Sequence, residues 1–89
     1  RYVITSNRES GYGRYDVVLE PKRQEDCAVI MEFKVRDPGE EKTLEETAKE
    51  ALAQIERKKY EAALTAKGIA PGQIQKYGFA FEGKTVLIR

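Results

Sequence analysis

Hydrophobic and polar residues alternate along the chain with two different periods, and these periods predict its secondary structure. Short runs rich in β-branched and aromatic residues predict five strands. They cover Tyr2–Ser6, Arg14–Glu20, Cys27–Val35, Gln73–Phe81 and Thr85–Ile88. Between the third and fourth strands, apolar residues recur at helical spacing and predict one long helix from Thr43 to about Ala66. The order β-β-β-α-β-β indicates an α+β or α/β domain with a mixed sheet of about five strands.

The signals at the two ends of the predicted helix are those of capping residues. Thr43 is a suitable N-cap, and Glu46 three residues later predicts a capping box. Gly68 after the helix is typical of a C-terminal glycine, and Pro71 follows it. The stripe expected to pack on the sheet contains Leu44, Ala48, Ala51, Leu52, Ile55, Lys59 and Ala62. If the third and fourth strands are parallel, the helix forms a right-handed crossover, but the pattern does not decide whether these strands are adjacent.

The third strand combines the most apolar run of the chain with two charges. Its apolar residues are nearly continuous, which predicts a central strand covered on both faces. Glu32 and Lys34 interrupt this run, and they share one face because strand side chains alternate. If the hairpin from Gly13 to Val35 turns near Gln24, Asp16 of the second strand lies opposite Glu32. The hairpin would then place two carboxylates and one ammonium on the same face.

The charged face has two interpretations that spacing alone does not separate. Two neighbouring carboxylates repel each other, and a divalent cation would offset that repulsion. Such a cation would keep coordination positions free for a phosphate oxygen and a hydroxide. Lys34 would then orient the nucleophile or stabilise the transition state. In the other interpretation, Asp16, Glu32 and Lys34 form a surface charge cluster on a half-exposed strand.

Composition restricts the chemistry further. The chain has 89 residues, no His and one Cys, which excludes His-based triads and His-containing zinc sites. Any metal must then be a hard cation held by oxygen atoms, such as Mg²⁺, Mn²⁺ or Ca²⁺. Cys27 is predicted to be a small buried hydrophobe. The net charge of +1 does not indicate nucleic-acid binding. The sequence shows no apolar run of about 18 residues and no signal peptide, so we expect a cytoplasmic protein that does not contact a membrane.

Other basic and aromatic residues are open to two interpretations each. Arg14 shares the face of Asp16, and it either contacts a phosphate or pairs with a carboxylate. The cluster Arg57-Lys58-Lys59 on the helix either follows a nucleic-acid backbone or forms a solvated helix face. Tyr15 is predicted to lie in the core rather than to stack on bases.

Several motifs along the chain resemble those of the PD-(D/E)XK nuclease superfamily. Its core motif is an Asp in one strand followed by Glu-X-Lys in the next, which Asp16 and Glu32-Phe33-Lys34 match. The resemblance is closest to the branch found at the C-terminus of bacterial proteins with an AAA-ATPase-like domain. Nearly the whole chain takes part, through the runs Ser10–Asp16, Ile30–Val35, Ala51–Ile55, Lys59-Tyr60 and Tyr77–Phe81.

The resemblance implies a restriction-endonuclease-like core and a nuclease that uses Mg²⁺ or Mn²⁺ on nucleic acid, with DNA as the expected substrate. The resemblance also implies that Asp16 and Glu32 are metal ligands, with the Phe33 carbonyl as a third ligand, and that Lys34 is the catalytic lysine. Gln54 and Tyr60 are similar to the substrate- or metal-positioning helix motif of RecB-type nucleases. That motif spaces its two residues four apart, whereas these are six apart and would lie about 120° apart on a regular helix.

The resemblance also sets expectations about partners. The length of 89 residues predicts a single domain, residues 1–89. The first residue is not Met and the last residues still resemble a strand, so we expect a fragment of a larger protein. The superfamily has a helix before its first strand that this fragment lacks. Without this helix, apolar sheet surface is exposed, which promotes association and predicts a homodimer of this fragment. The resemblance further implies that the larger protein carries a covalently linked ATPase-like domain. The alternative function is a catalytically inactive module of the same fold that binds nucleic acid or protein.

Overall fold

The structure, a computed structural model, describes residues 2–8, 13–23 and 25–89, without the side chains of residues 7 and 8. The described chain forms one five-stranded sheet and two α-helices. The elements are β1 (Tyr2–Arg8), β2 (Arg14–Pro21), β3 (Ala28–Val35), α1 (Leu44–Lys58), α2 (Tyr60–Ala66), β4 (Ile74–Glu82) and β5 (Thr85–Ile88), with a 3₁₀ helix over Pro71–Gln73 before β4. The five predicted strands are therefore present, with bounds that differ by at most two residues.

The strands lie in the sheet in the same order as in the chain. β3 and β4 are parallel neighbours, paired from Ala28 opposite Ile74 to Val35 opposite Phe81, and the other three pairs are antiparallel. The mixed sheet is confirmed, and the adjacency that the sequence left open is resolved. The connection between β3 and β4 contains both helices, since parallel neighbours need a crossover. Its right-handed sense stays a prediction.

The predicted single helix is wrong, because it breaks at Lys59. Lys59 has φ 59° and ψ 33°, a left-handed conformation that ends α1, and α2 begins at the next residue. The break removes Lys59 from the packing stripe, and it brings Leu64 of α2 into the core at 3% exposure. Gly68 has the positive φ predicted for the residue that follows the helix.

The start of α1 agrees with the predicted cap except in one bond. The hydroxyl of Thr43 accepts a hydrogen bond from the backbone N–H of Glu46 at 3.2 Å. The Glu46 carboxylate accepts from the backbone N–H of Lys42 at 2.7 Å, rather than from that of Thr43 as in a capping box. The acidic first turn, Glu45 and Glu46, suits the positive end of the helix dipole.

Helix α1 packs very closely on one face of the sheet, which we call the helix-covered face. Ala48 and Ala51 are fully buried there, opposite Gly78 of β4. A Cβ atom on Gly78 would lie only 2.7 Å from the carbonyl oxygen of Ala48, so only glycine fits this approach. The core between helices and sheet contains Val18, Ala28, Ile30, Ile55, Leu64, Ile69 and Ile74.

The opposite face of the sheet, which we call the far face, is apolar and carries no helix within the described residues. Phe33 stacks on Phe79 with ring centroids 4.6 Å apart, and Tyr15 lies 5.8 Å from Phe33. Tyr15 and Val35 are 40% and 42% exposed, so the prediction that β3 is covered on both faces is wrong for this part of the chain. Tyr15 is also not a core residue.

Cys27 differs from its prediction as well, since it is exposed just before β3 rather than buried. The strand begins one residue later, at Ala28, and it is Ala28 that is fully buried. Neither α1 nor α2 is long and apolar enough to cross a membrane.

Candidate active site

The three charged residues of the hairpin lie together and are buried. Asp16 of β2 is the direct partner of Glu32 of β3, as the hairpin prediction required, and Arg14 is the partner of Lys34. Directly opposed strand residues have Cβ atoms about 5 Å apart. Asp16 and Glu32 are 0% exposed and Lys34 is 5% exposed, all beneath α1. The alternative of a surface charge cluster is therefore wrong.

The two opposed carboxylates lack most of the hydrogen bonds that buried oxygens normally have. Asp16 Oδ1 and both carboxylate oxygens of Glu32 are buried and have no hydrogen-bond partner among the described residues. Burial and, to a smaller extent, the nearby charge of Asp16 together raise the pKa of Glu32 to about 7, against the opposing effect of Arg14. Buried polar groups without partners are rare, and carboxylate oxygens are the donors that hard divalent cations take.

A lysine that the sequence analysis did not assign to the site contacts both carboxylates. The ammonium of Lys58 donates a hydrogen bond to Asp16 Oδ2, and it lies 3.8 Å from Glu32 Oε1. Its side chain is only 17% exposed, and burial lowers the pKa of Lys58. The interpretation that Lys58 belongs to a solvated helix face is therefore wrong.

The sequence did contain a signal for Lys58. It follows Ile55 by three residues and Ala51 by seven, which places it on the buried side of α1. A lysine at such a position needs a buried partner, because an unpaired buried charge is very costly. Our predicted stripe continued from Ile55 to Lys59 instead, and the break at Lys59 makes that choice wrong.

Lys34 is held by a second residue that the sequence analysis missed. Its ammonium donates to both carboxylate oxygens of Glu41, at 2.8 and 3.0 Å. Glu41 also accepts bonds from the backbone N–H of Asp37 at 2.9 Å and from the hydroxyl of Thr47 at 3.1 Å. Burial alone would raise the pKa of Glu41, but these hydrogen bonds outweigh it and hold the pKa below its ordinary value. Glu41 thus fixes the position of Lys34.

The predicted substrate-binding residues Arg14 and Gln54 lie at the edge of the site in one surface network. Arg14 approaches a carboxylate oxygen of Glu50 at 3.4 Å, and Glu50 also binds Arg57. The side-chain oxygen of Gln54 accepts hydrogen bonds from Arg57 at 2.9 and 3.1 Å. For Arg14 the geometry thus favours the carboxylate pairing that the sequence left open, and its contact with a phosphate stays a prediction.

Tyr60 is the first residue of α2 and packs beside the core, partly buried. The Lys58 ammonium lies 5.9 Å from the centroid of its ring. The predicted angle of about 120° between Gln54 and Tyr60 does not apply, because it assumed a regular helix and the chain changes direction at Lys59. A role of Tyr60 in substrate binding stays a prediction.

A cleft of about 700 Å³ opens beside Lys34. Its wall includes Arg14, Lys34, Arg36, Glu41 and Glu50. Asp16 and Glu32 do not line this cleft and have no exposed surface. Lys34 thus borders the cleft although it is only 5% exposed, whereas the two carboxylates do not reach the cleft.

The sequence model of a family described as the PD-(D/E)XK nuclease superfamily matches residues 1–89. The chain belongs to the PD-(D/E)XK nuclease superfamily. Comparisons with curated proteins and with solved structures gave no significant match. The mixed five-stranded sheet with helices agrees with the restriction-endonuclease-like α+β fold of this superfamily and confirms the predicted fold class. Family membership supports a nuclease-type function, and PD-(D/E)XK nucleases generally use divalent metals.

The donor atoms of this PD-(D/E)XK domain fit a hard divalent cation of the Mg²⁺ type. Among the described residues, no group of three or more His, Cys, Asp or Glu side chains could enclose a metal. Mg²⁺ does not need such a cage, because it usually keeps several waters and binds one or two carboxylates plus substrate phosphates. Asp16 and Glu32 supply those carboxylates, with three oxygens unsatisfied. The Phe33 carbonyl as a third ligand stays a prediction.

Proposed function

We propose that this chain is a metal-dependent nuclease domain that hydrolyses phosphodiester bonds in DNA. The observation that carries the proposal is the buried pair Asp16 and Glu32, which leaves three oxygens without partners beside the buried ammonium of Lys34. A fold that needed only stability gains nothing from two unsatisfied carboxylates, since replacing a buried polar cluster by apolar residues is often neutral or stabilising.

In this proposal Asp16, Glu32 and the Phe33 carbonyl hold Mg²⁺ or Mn²⁺. When bound, such a cation lowers the pKa of its water and stabilises negative charge on phosphorus. Lys34 faces the cleft and positions the attacking water or stabilises the charged phosphoryl oxygens. Glu41 keeps the Lys34 ammonium in place through its two short contacts.

Substrate binding is proposed for the edge of the same cleft. The contact of Arg14 with Glu50 is long, at 3.4 Å, and a phosphate would make a stronger partner for its guanidinium. Gln54 and Tyr60 lie on the helices above the site and are proposed to contact the same strand of nucleic acid. The resemblance to the ATPase-associated branch adds to the proposal a covalently linked ATPase-like domain in a bacterial cytoplasmic protein.

The test is cleavage of supercoiled plasmid DNA by the full-length protein in Mg²⁺, in Mn²⁺ and in EDTA. We expect metal-dependent nicking that Asp16→Asn abolishes. For the lysine, we expect loss of cleavage in the double variant Lys34→Met with Glu41→Gln, which removes both charges of the buried pair together. Lys67→Met, which alters an exposed pair with Glu20, is the matched control. Cleavage of equal rate in Asp16→Asn contradicts the assignment.

A catalytically inactive binding module is the second candidate. It is favoured by one observation, namely that the two lysines of the site already have carboxylate partners within the chain, the buried Lys34 with Glu41 and the partly buried Lys58 with Asp16. Such a site is partly neutralised without metal or substrate. DNA binding by the full-length protein without cleavage in either metal, on both single-stranded and double-stranded substrates, would establish this candidate.

A further inference from the structure

The carboxylate pair is closed off from solvent. Asp16 and Glu32 are 0% exposed, and the cleft beside Lys34 does not reach them. A hydrated divalent cation therefore has no direct path to the oxygens that are free to bind it. Some side chain that covers the pair has to move before a metal can bind.

Among the described residues, Lys58 has a side chain that lies on the pair. Its ammonium bonds to Asp16 Oδ2 and lies 3.8 Å from Glu32 Oε1, which is where a cation shared by the two carboxylates would lie. Lys58 is the last residue of α1, immediately before the left-handed Lys59. Its side chain retains 17% exposure, so it lies between the buried pair and solvent.

The ammonium is an incomplete replacement for a divalent ion. It carries one positive charge against two carboxylates, and within the described part of the chain Asp16 Oδ1 and both oxygens of Glu32 remain without a hydrogen bond. A metal that binds these oxygens would lie within a few ångströms of the ammonium, and two cations at such a distance repel strongly in a buried site. The two cannot share the pair.

We propose that Lys58 is an internal counter-ion that closes the metal-free site and leaves it when a divalent cation binds. Lys58 then sets the metal concentration at which the domain becomes loaded. This proposal rests on the proposed metal-dependent function. It concerns metal affinity and the metal-free protein, both of which are measurable without any nuclease activity.

The test compares wild type with Lys58→Met, which keeps the length of the side chain and removes its charge. Calorimetric titration of the full-length protein with MnCl₂ should show affinity for Mn²⁺ on the order of tenfold tighter in Lys58→Met. In EDTA the variant should unfold at a lower temperature than wild type, and saturating Mn²⁺ should reverse that difference. Lys49→Met, an exposed lysine on the same helix, is the matched control and should leave both readouts unchanged.

Equal or weaker Mn²⁺ affinity in Lys58→Met overturns the proposal for Lys58, and plasmid cleavage by wild type in the same buffer would leave the proposed function intact. Absence of Mn²⁺ binding in both proteins overturns both proposals. If Lys58→Met does not fold in EDTA, its folding on addition of Mn²⁺ is the supporting result. Failure to fold in saturating Mn²⁺ counts against the proposal, because the metal should then replace the missing charge.

Discussion

Replacing Glu32 by Gln tests the electrostatics of the site through protein stability. Glu32 has a pKa of about 7 in the folded protein, against an ordinary value of 4.5. The folded state therefore keeps the proton to higher pH than the unfolded state, and the stability linked to Glu32 decreases as pH rises between these two values. The difference of about 2.5 units corresponds to a loss of about 3 kcal/mol, complete above pH 7.

The measurement is chemical unfolding of wild type and Glu32→Gln in EDTA at a series of pH values from 4.5 to 8. Gln has nearly the same shape and does not ionise, so any constant cost of the substitution cancels when only the pH dependence is compared. We expect the variant to gain up to about 3 kcal/mol relative to wild type across this range. For a domain of this size, the same difference corresponds to about 10 °C or more in melting temperature.

Glu41, whose pKa is lowered, is present in both proteins, so its own opposite pH dependence cancels in the comparison. Addition of Mg²⁺ at pH 8 should raise the melting temperature of wild type and leave that of Glu32→Gln nearly unchanged. Parallel pH profiles for the two proteins would refute the reasoning, since they would mean that Glu32 titrates as it does in an unfolded chain.

Three further predictions concern the rest of the fold. Glu41→Gln leaves the buried ammonium of Lys34 without its charge partner and should lower the free energy of unfolding by about 3 kcal/mol in urea titrations. Gly78→Ala places a methyl group against a backbone carbonyl of α1 and should cost about 1–3 kcal/mol in the same assay. The apolar far face predicts that the isolated chain forms a homodimer, visible by size-exclusion chromatography with light scattering, which Ile4→Lys should weaken because Ile4 is 67% exposed there.

Each of these has its own control. Glu20→Gln, which alters an exposed ion pair, should change the free energy of unfolding by less than about 0.5 kcal/mol. An effect as large as that of Glu41→Gln would contradict the claim that burial makes loss of the Lys34–Glu41 pair costly. Gly72→Ala has nothing within 4 Å of the added methyl group and should be nearly neutral. A monomer at the highest attainable protein concentration would contradict the dimer.

The five strands were predictable because each is a short run with its own local signal, but the adjacency of β3 and β4 in the sheet was not. The hairpin from β2 to β3 also fixed which residues face each other, so the opposition of Asp16 and Glu32 followed from counting. The break at Lys59 was not predictable, because lysine is a good helix former and nothing nearby marks a helix end. The helix that follows the break places Leu64 in the core, a tertiary contact that local sequence does not reveal.

The partners of the charged residues were the part that the sequence could not supply. Lys58 is 42 residues from Asp16, and their contact exists only because α1 crosses over the hairpin. Glu41 is seven residues from Lys34, in an acidic segment after a turn where no periodicity distinguishes one glutamate from its neighbours. Local patterns therefore identified the candidate site residues Asp16, Glu32 and Lys34, but not their partners Lys58 and Glu41.

The pairing of Asp16 with Glu32 has a consequence for insertions and deletions. Residues added to the turn between β2 and β3 leave the ladder unchanged, so the spacing between Asp16 and Glu32 along the chain is free to vary. A single residue inserted in β2 between Asp16 and the turn would instead move Asp16 to the far face, because side chains alternate. The interval from Glu32 to Lys34 has no such freedom. A search for other chains with this site should therefore fix the spacing from Glu32 to Lys34 and leave the spacing from Asp16 to Glu32 open.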